Sequence, residues 1–324
     1  MSTLEIEMGA MNIAEMKTFK KWSSLVPELR EHSLSYFGSN SLYQYAQCSK
    51  LSNEEIQKFD TYAPSYVGLK EHGDGMVVKL EYNRRRIPNL LFAKFDETHY
   101  EIWRSDTNWN NLIIEGNPRD AALQYFLKRF KYLKTGTTSI VDIDCETWPS
   151  EIETVPIIYQ AKSWNVQLYS GIYERFMNTI HENRNVKDLC FPLKWDQEDM
   201  MIPTEFFKSN LFKQLNRVYF RVKSLPQDDD FLESNASYLY FNCDTISNNG
   251  IHRKIQSWYD GRITELEFSV NFSTPRVVNR SEILRDIPVI NPGNEFLFIV
   301  QRPDGKLANI FYHDKGVLFK LRSM

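Results

Sequence analysis

Apolar residues along the chain fall into three rhythms, and each predicts a different kind of element. Between residues 19 and 59 they recur at threes and fours. Leu25, Leu29, Ser33, Leu34 and Phe37 share one helical face, and Gly38 follows as a left-handed stop would. Pro27 suits a first helical turn and Glu28 favours a helix N-terminus. Leu42, Tyr45, Ala46 and Leu51 mark a second helix. Ser52 with Glu55 gives a capping-box pattern for a third, running through Phe59.

Residues 66–104 alternate instead. MVVKLEYN, RIPNLLFAKF and HYEIWRS read as short strands. Asn117-Pro118 then breaks the chain, and Asp120–Lys131 returns to helical spacing through Ala122, Tyr125, Phe126 and Phe130.

From residue 138 strand and helix patterns take turns. Strand-like stretches anchored on Ile143, Val166, Leu189, Val218, Leu239 and Leu266 recur at steps of 23, 23, 29, 21 and 27 residues. Between them lie helix-like segments at 173–183, 204–214 and 249–261. A strand and a helix every 20–29 residues is the spacing of leucine-rich repeats, whose units stack because none can bury its apolar face alone. The steps are uneven and most of the asparagine ladder of regular repeats is missing. An ordinary α/β domain with a parallel sheet fits the same pattern. Residues 295–302 and 306–322, with turns at Asp304-Gly305 and Lys315-Gly316, predict an antiparallel β cap. The expected fold is therefore α/β (mixed): a short N-terminal three-helix module, an irregular leucine-rich-repeat-like solenoid, and a C-terminal antiparallel cap. The expected divisions are 1–16 a leader, 17–62 the helical module, 63–135 a strand-rich connector plus helix, and 136–324 the repeat domain with its cap.

Composition narrows the function. The chain is 42% hydrophobic and 14% aromatic, which supplies a core and argues against disorder throughout. A net charge of -3, with Arg84-Arg85-Arg86 the only short basic run, argues against nucleic acid as partner. No apolar run approaches the length of a membrane-spanning helix. The start, MSTLEIEMGAMN, lacks a secretory pattern, so the sequons at Asn235, Asn271 and Asn279 are read as silent and the protein as cytosolic or nuclear. Cys48, Cys145, Cys190 and Cys243 are far apart and form no zinc or redox motif.

Catalytic patterns are weak. The six histidines lie at no metal-ligand spacing, and no phosphate loop or nucleophile elbow occurs. Asp228-Asp229-Asp230 lacks the spaced ligands of a calcium loop and reads as an acidic helix start. Asp142 and Asp144 share one face of a strand, which serves a polar surface as readily as a pair of catalytic carboxylates. No enzyme activity, cofactor or metal is expected. An enzyme of unrecognised type would require a deep pocket with convergent polar groups.

The run LVPELREHSLSYFGSNSLYQYAQCSK, residues 25–50, resembles an F-box. Pro27, Glu28, Leu29, Leu34, Tyr36, Phe37, Leu42, Ala46, Cys48 and Lys50 fall where that pattern has them. It departs by one residue missing between Pro27 and Glu28, by Ser33 in place of an aliphatic, and by lacking the later Trp. Residues 246–268 and 301–322 look like the F-box-associated region of expanded nematode F-box families. NPRDAALQYFLKRF, residues 117–130, is similar to a helix those proteins carry ahead of it. The resemblance implies a substrate adaptor of a Skp–cullin–F-box ubiquitin ligase. Leu25, Pro27, Leu29, Leu34, Phe37, Leu42 and Tyr45 would dock a Skp-family linker and, through it, a cullin. The body would hold an unidentified protein target, with Trp148, Trp164, Trp195 and Trp258 as candidate anchors. The alternative is a repeat scaffold for protein binding with no ligase role.

Overall fold

A computed structural model of the chain describes residues 65–322, apart from 83–84, 87–88, 105–111, 131–137, 156–157, 159, 170, 181–184, 193–199, 275, 277, 291–293 and 314. The expected leader and three-helix module lie outside these residues. The described chain divides into two compact units: residues up to 140 with 149–161, and residues 141–148 with 162 onward.

In the first unit the alternation becomes an antiparallel meander. Strands β1 (Tyr66–His72) and β2 (Gly75–Tyr82) pair through to His72↔Gly75. The two-residue turn between them uses a positive φ of 55° at Gly73, as tight hairpins require. β3 (Arg85–Arg86) pairs with the end of β2. β4 (Leu90–Lys94), β5 (His99–Arg104) and β6 (Leu112–Glu115) continue the sheet from β2. Helix α1 (Pro118–Phe130) packs on β2, β4 and β5. Asn117 starts it: its side-chain oxygen accepts from the N–H groups of Arg119 (2.8 Å) and Asp120 (3.2 Å), and Pro118 needs no partner at the first helical position. Ala122, Leu123 and Phe126 of the helix and Val78, Leu80 and Phe92 of the sheet are all buried where the two pack.

In the second unit β8 (Ser163–Val166), β9 (Asp188–Phe191), β11 (Arg217–Ser224), β12 (Tyr238–Asn242) and β13 (Glu267–Asn271) run parallel in that order. Short β10 (Met201–Ile202) joins the far end of β11. β7 (Ile140–Asp144) feeds the first edge, where the Gln167 N–H donates to the Ile143 carbonyl at 2.8 Å. Beyond β13 the direction reverses. β17 (Gly316–Leu321) pairs antiparallel with β13, then β16 (Leu307–His313), β15 (Leu297–Gln301) and β14 (Val289–Ile290) follow as a meander.

The helices of this unit are α2 (Ile172–Ile180), α3 (Thr204–Lys208), α4 (Asn210–Gln214), α5 (Asp228–Glu233), α6 (Asn248–Tyr259) and α7 (Arg280–Ile283). Behind the sheet phenylalanines form the core. Phe191 stacks on Phe220 at 4.8 Å between ring centroids, and Phe268 stacks on Phe319 at 5.3 Å. Phe206, Phe207, Phe212 and Phe231 fill the space between with edge-on contacts. Such pairs add about 0.5–1.5 kcal/mol each beyond the area they bury.

This architecture corrects the expected fold. The described residues hold seventeen strands against seven α-helices, and only α1, α2 and α6 have seven or more residues. They form a largely β, mixed parallel and antiparallel structure, not a strand–helix solenoid with a cap. The local cause is visible at 204–214, where the pattern predicts one helix. Ser209 is extended (φ -71°, ψ 153°) and its hydroxyl caps Phe212 at 3.2 Å, so the segment splits into two single-turn helices. The split lets Phe206, Phe207 and Phe212 all reach the same pocket behind β11 and β12.

Candidate protein-binding face

The sequence RVYFRVKS of β11 alternates strictly, with Val218, Phe220 and Val222 buried. Arg217, Tyr219, Arg221 and Lys223 therefore point to the opposite face of the sheet. The parallel register sets their neighbours. Arg217 lies between Asp188 and Tyr238, and Tyr219 lies between Cys190 and Tyr240. On the far side of β12, Tyr238 meets Glu267 and Tyr240 meets Ser269. The open face is thus built around three tyrosines and a column of cations on one strand.

The tyrosines touch. The rings of Tyr219 and Tyr240 are 4.5 Å apart between centroids, and those of Tyr219 and Tyr238 lie nearly parallel at 6.5 Å. The Arg217 guanidinium sits 5.3 Å from the centre of the Tyr238 ring, within cation–π range. Arg221 is within hydrogen-bonding reach of the Tyr240 hydroxyl. Partial burial raises the hydroxyl pKa of Tyr238 and of Tyr240, so both stay protonated and able to donate. Burial also raises the Asp188 carboxyl, with Arg217 opposing that rise. Among the described residues no ion pair forms at Arg217, Arg221 or Lys223. Tyrosine and arginine are the side chains that anchor protein interfaces: large, stiff, apolar in body and polar at the tip.

The surrounding chemistry is quiet. Asp142 accepts from the Asn165 amide at 2.9 Å, tying β7 to β8, and Asp144 accepts from the Tyr169 hydroxyl at 3.0 Å, tying β7 to the segment after β8. Cys190 and Cys243 are free, and burial pushes both thiols up to about 12, far from a nucleophile's range. Among the described residues no group of His, Cys, Asp and Glu is disposed to hold a metal ion, and no helix is long and apolar enough to cross a membrane.

One curated protein bears on the family. A Caenorhabditis elegans protein described as an uncharacterized F-box protein is 22% identical over 293 residues, covering 83% of this chain and 74% of the relative. That likeness supports an F-box protein family. No family model and no solved structure matches the chain.

The residues singled out from the sequence fare differently. Leu25, Pro27, Leu29, Leu34, Phe37, Leu42 and Tyr45 lie outside the described residues, as does Trp195. Trp148, Trp164 and Trp258 are core side chains, with exposures of 5%, 0% and 0%. Trp148 and Trp164 both pack on Phe176, at 5.8 and 5.6 Å, and Trp258 packs on Phe319 at 5.2 Å. As candidate anchors these three are corrected: no ring face remains open. Tyr219, Tyr238 and Tyr240, with the β11 cations, were not singled out. Their signal was present, since each occupies the odd position of a strand whose even positions are Val, Phe and Leu.

Proposed function

We propose that this protein is the substrate-recognition adaptor of a Skp–cullin–F-box ubiquitin ligase. The observation that carries the reading is the likeness over most of the chain to a protein described as an F-box protein. The F-box-like run at residues 25–50, and the F-box-associated character of 246–268 and 301–322, support it. On this reading Leu25, Pro27, Leu29, Leu34, Phe37, Leu42 and Tyr45 dock a Skp-family linker, which joins the protein to a cullin. The adaptor performs no chemistry itself and needs no cofactor. Its Tyr219–Tyr238–Tyr240 face presents the target. It works in the cytosol or nucleus, and the free thiols of Cys190 and Cys243 are in keeping with a reducing compartment.

The test is co-expression with a Skp-family linker followed by size-exclusion chromatography. A stable complex is expected, and Pro27→Ala with Leu34→Ala should abolish it. Each buried aliphatic contributes about 1.5–3 kcal/mol before ordering costs, so losing the Leu34 side chain is enough to weaken the complex by tenfold or more. A wild-type protein that never retains the linker ends the reading.

A further inference from the structure

We infer that the β11 face takes an extended segment of the target that carries Asp or Glu at two alternate positions, facing Arg221 and Lys223. The inference rests on the adaptor reading and names the chemistry its target must present. Its basis is the column Arg217–Tyr219–Arg221–Lys223, all on one side of one strand. Outward residues of a strand repeat at about 6.6–7 Å, and so do the same-face side chains of an extended peptide. Acidic side chains spaced by two therefore match Arg221 and Lys223, while the residue over Tyr219 separates that pair from Arg217. The touching rings of Tyr219 and Tyr240 supply apolar surface for the stems between the charges.

The charge pattern also sets where the segment binds. Asp188 and Glu267 flank the row of Arg217 and Tyr238, so the start of β11 is electrically mixed. In the following rows the strand neighbours are neutral: Cys190, Tyr240 and Ser269, then Asn242 beside Lys223 and Asn271 beside Asn242. Between Phe220 and Lys223 the register with β12 shifts, and the β12 neighbours that reach Arg221 are neutral: the Tyr240 hydroxyl, and the Asn242 amide, which donates to the Arg221 carbonyl at 3.2 Å. Positive charge is least compensated at Arg221 and Lys223, and that is the end an acidic segment will prefer.

The experiment is selection of random peptides displayed on phage against the full chain held with its Skp-family linker. Dissociation constants of selected peptides are then measured by fluorescence anisotropy. The expected result is enrichment of Asp and Glu at alternate positions and binding that weakens as salt is raised. Arg221→Glu with Lys223→Glu should weaken binding by at least about tenfold, and Arg217→Glu by less. Circular dichroism and linker retention confirm that the variants are folded. The inference is overturned if the selected peptides carry no acidic bias, if the double variant binds them as tightly as wild type, or if nothing is selected. Linker retention without acidic selection sinks the inference and spares the adaptor reading. Arg221-dependent acidic binding by a chain that never holds the linker does the reverse.

Discussion

The Asp228 carboxylate accepts two hydrogen bonds from Ser247, one from the backbone N–H at 2.7 Å and one from the hydroxyl. The Ser247 hydroxyl oxygen in turn accepts from the Gly250 N–H at 3.0 Å, so Asp228 holds in place the residue that caps α6. The packing leaves no room at Gly250, where an added Cβ would lie 2.2 Å from the Asp228 carboxylate. Asp228→Ala should cost about 1–3 kcal/mol by stranding the donors of Ser247. Gly250→Ala should cost about 1–3 kcal/mol by overpacking. Because the alanine methyl clashes with the carboxylate, the double variant should lose less than the sum. Urea unfolding of the four proteins measures this, and strict additivity would refute the coupling.

Lys254 is buried, and its ammonium donates to the carbonyls of Ser234 at 2.9 Å and Leu232 at 3.3 Å. Burial lowers its pKa from 10.5 to about 8. Between those values the unfolded chain binds more protons than the folded one, so this group's contribution to stability rises with pH through the window. The gain from pH 8 to pH 10 is on the order of 2 kcal/mol. Part-buried Cys190 and buried Cys243 and Tyr312, whose pKa values are raised, act in the opposite sense over the same alkaline range. The readout is therefore the difference between wild type and Lys254→Met at each pH. A difference that stays flat from pH 8 to pH 10 contradicts the assignment.

Trp258 joins α6 to the terminal meander. Its ring meets Phe319, and Arg302 lies 5.4 Å from its centre while donating to the Trp258 and Ile263 carbonyls at 3.5 and 3.3 Å. Arg302 also grips Asp304 with two nitrogens and holds that carboxyl well below its ordinary range, at about 2. Trp258→Ala should cost about 3–5 kcal/mol. Arg302→Lys keeps the charge but loses the planar fork, and should cost about 1–3 kcal/mol. Thermal unfolding by far-ultraviolet circular dichroism distinguishes these losses from the small effect expected of an exposed tryptophan.

Thiol reactivity gives an independent check on the core. With their pKa values at about 12, Cys190 and Cys243 hold far less thiolate at pH 8 than a thiol at the ordinary 9.0. Alkylation by iodoacetamide in the native protein should run about a thousandfold slower than in urea on thiolate content alone. Peptide mapping by mass spectrometry reads each site. Rapid native labelling of Cys243 would place it at the surface, against its complete burial here.

Part of the candidate face was legible in advance. The alternation of 217–224 and 238–242 marks Arg217, Tyr219, Arg221, Lys223, Tyr238 and Tyr240 as one side of their strands. What the linear pattern lacked was the register that sets Tyr219 beside Tyr240 and Asp188 beside Arg217. Tryptophan drew notice as the largest candidate anchor, yet in a core of phenylalanines it is the side chain best able to fill the deepest space.

By itself the amino-acid order determined where strands lie and which of their residues turn inward, because a period of two is a local property. It determined the helix at 118–130, through Asn117, Pro118 and the apolar spacing that follows. Only the tertiary structure decided that β13 takes β17 as an antiparallel neighbour, pairing Phe268 with Phe319. Only it decided that the segment 204–214 breaks at Ser209 to send three phenylalanines into one core, and that the tyrosines of β11 and β12 face outward together. Those outcomes depend on contacts between residues far apart in the chain, whose energies no local pattern contains.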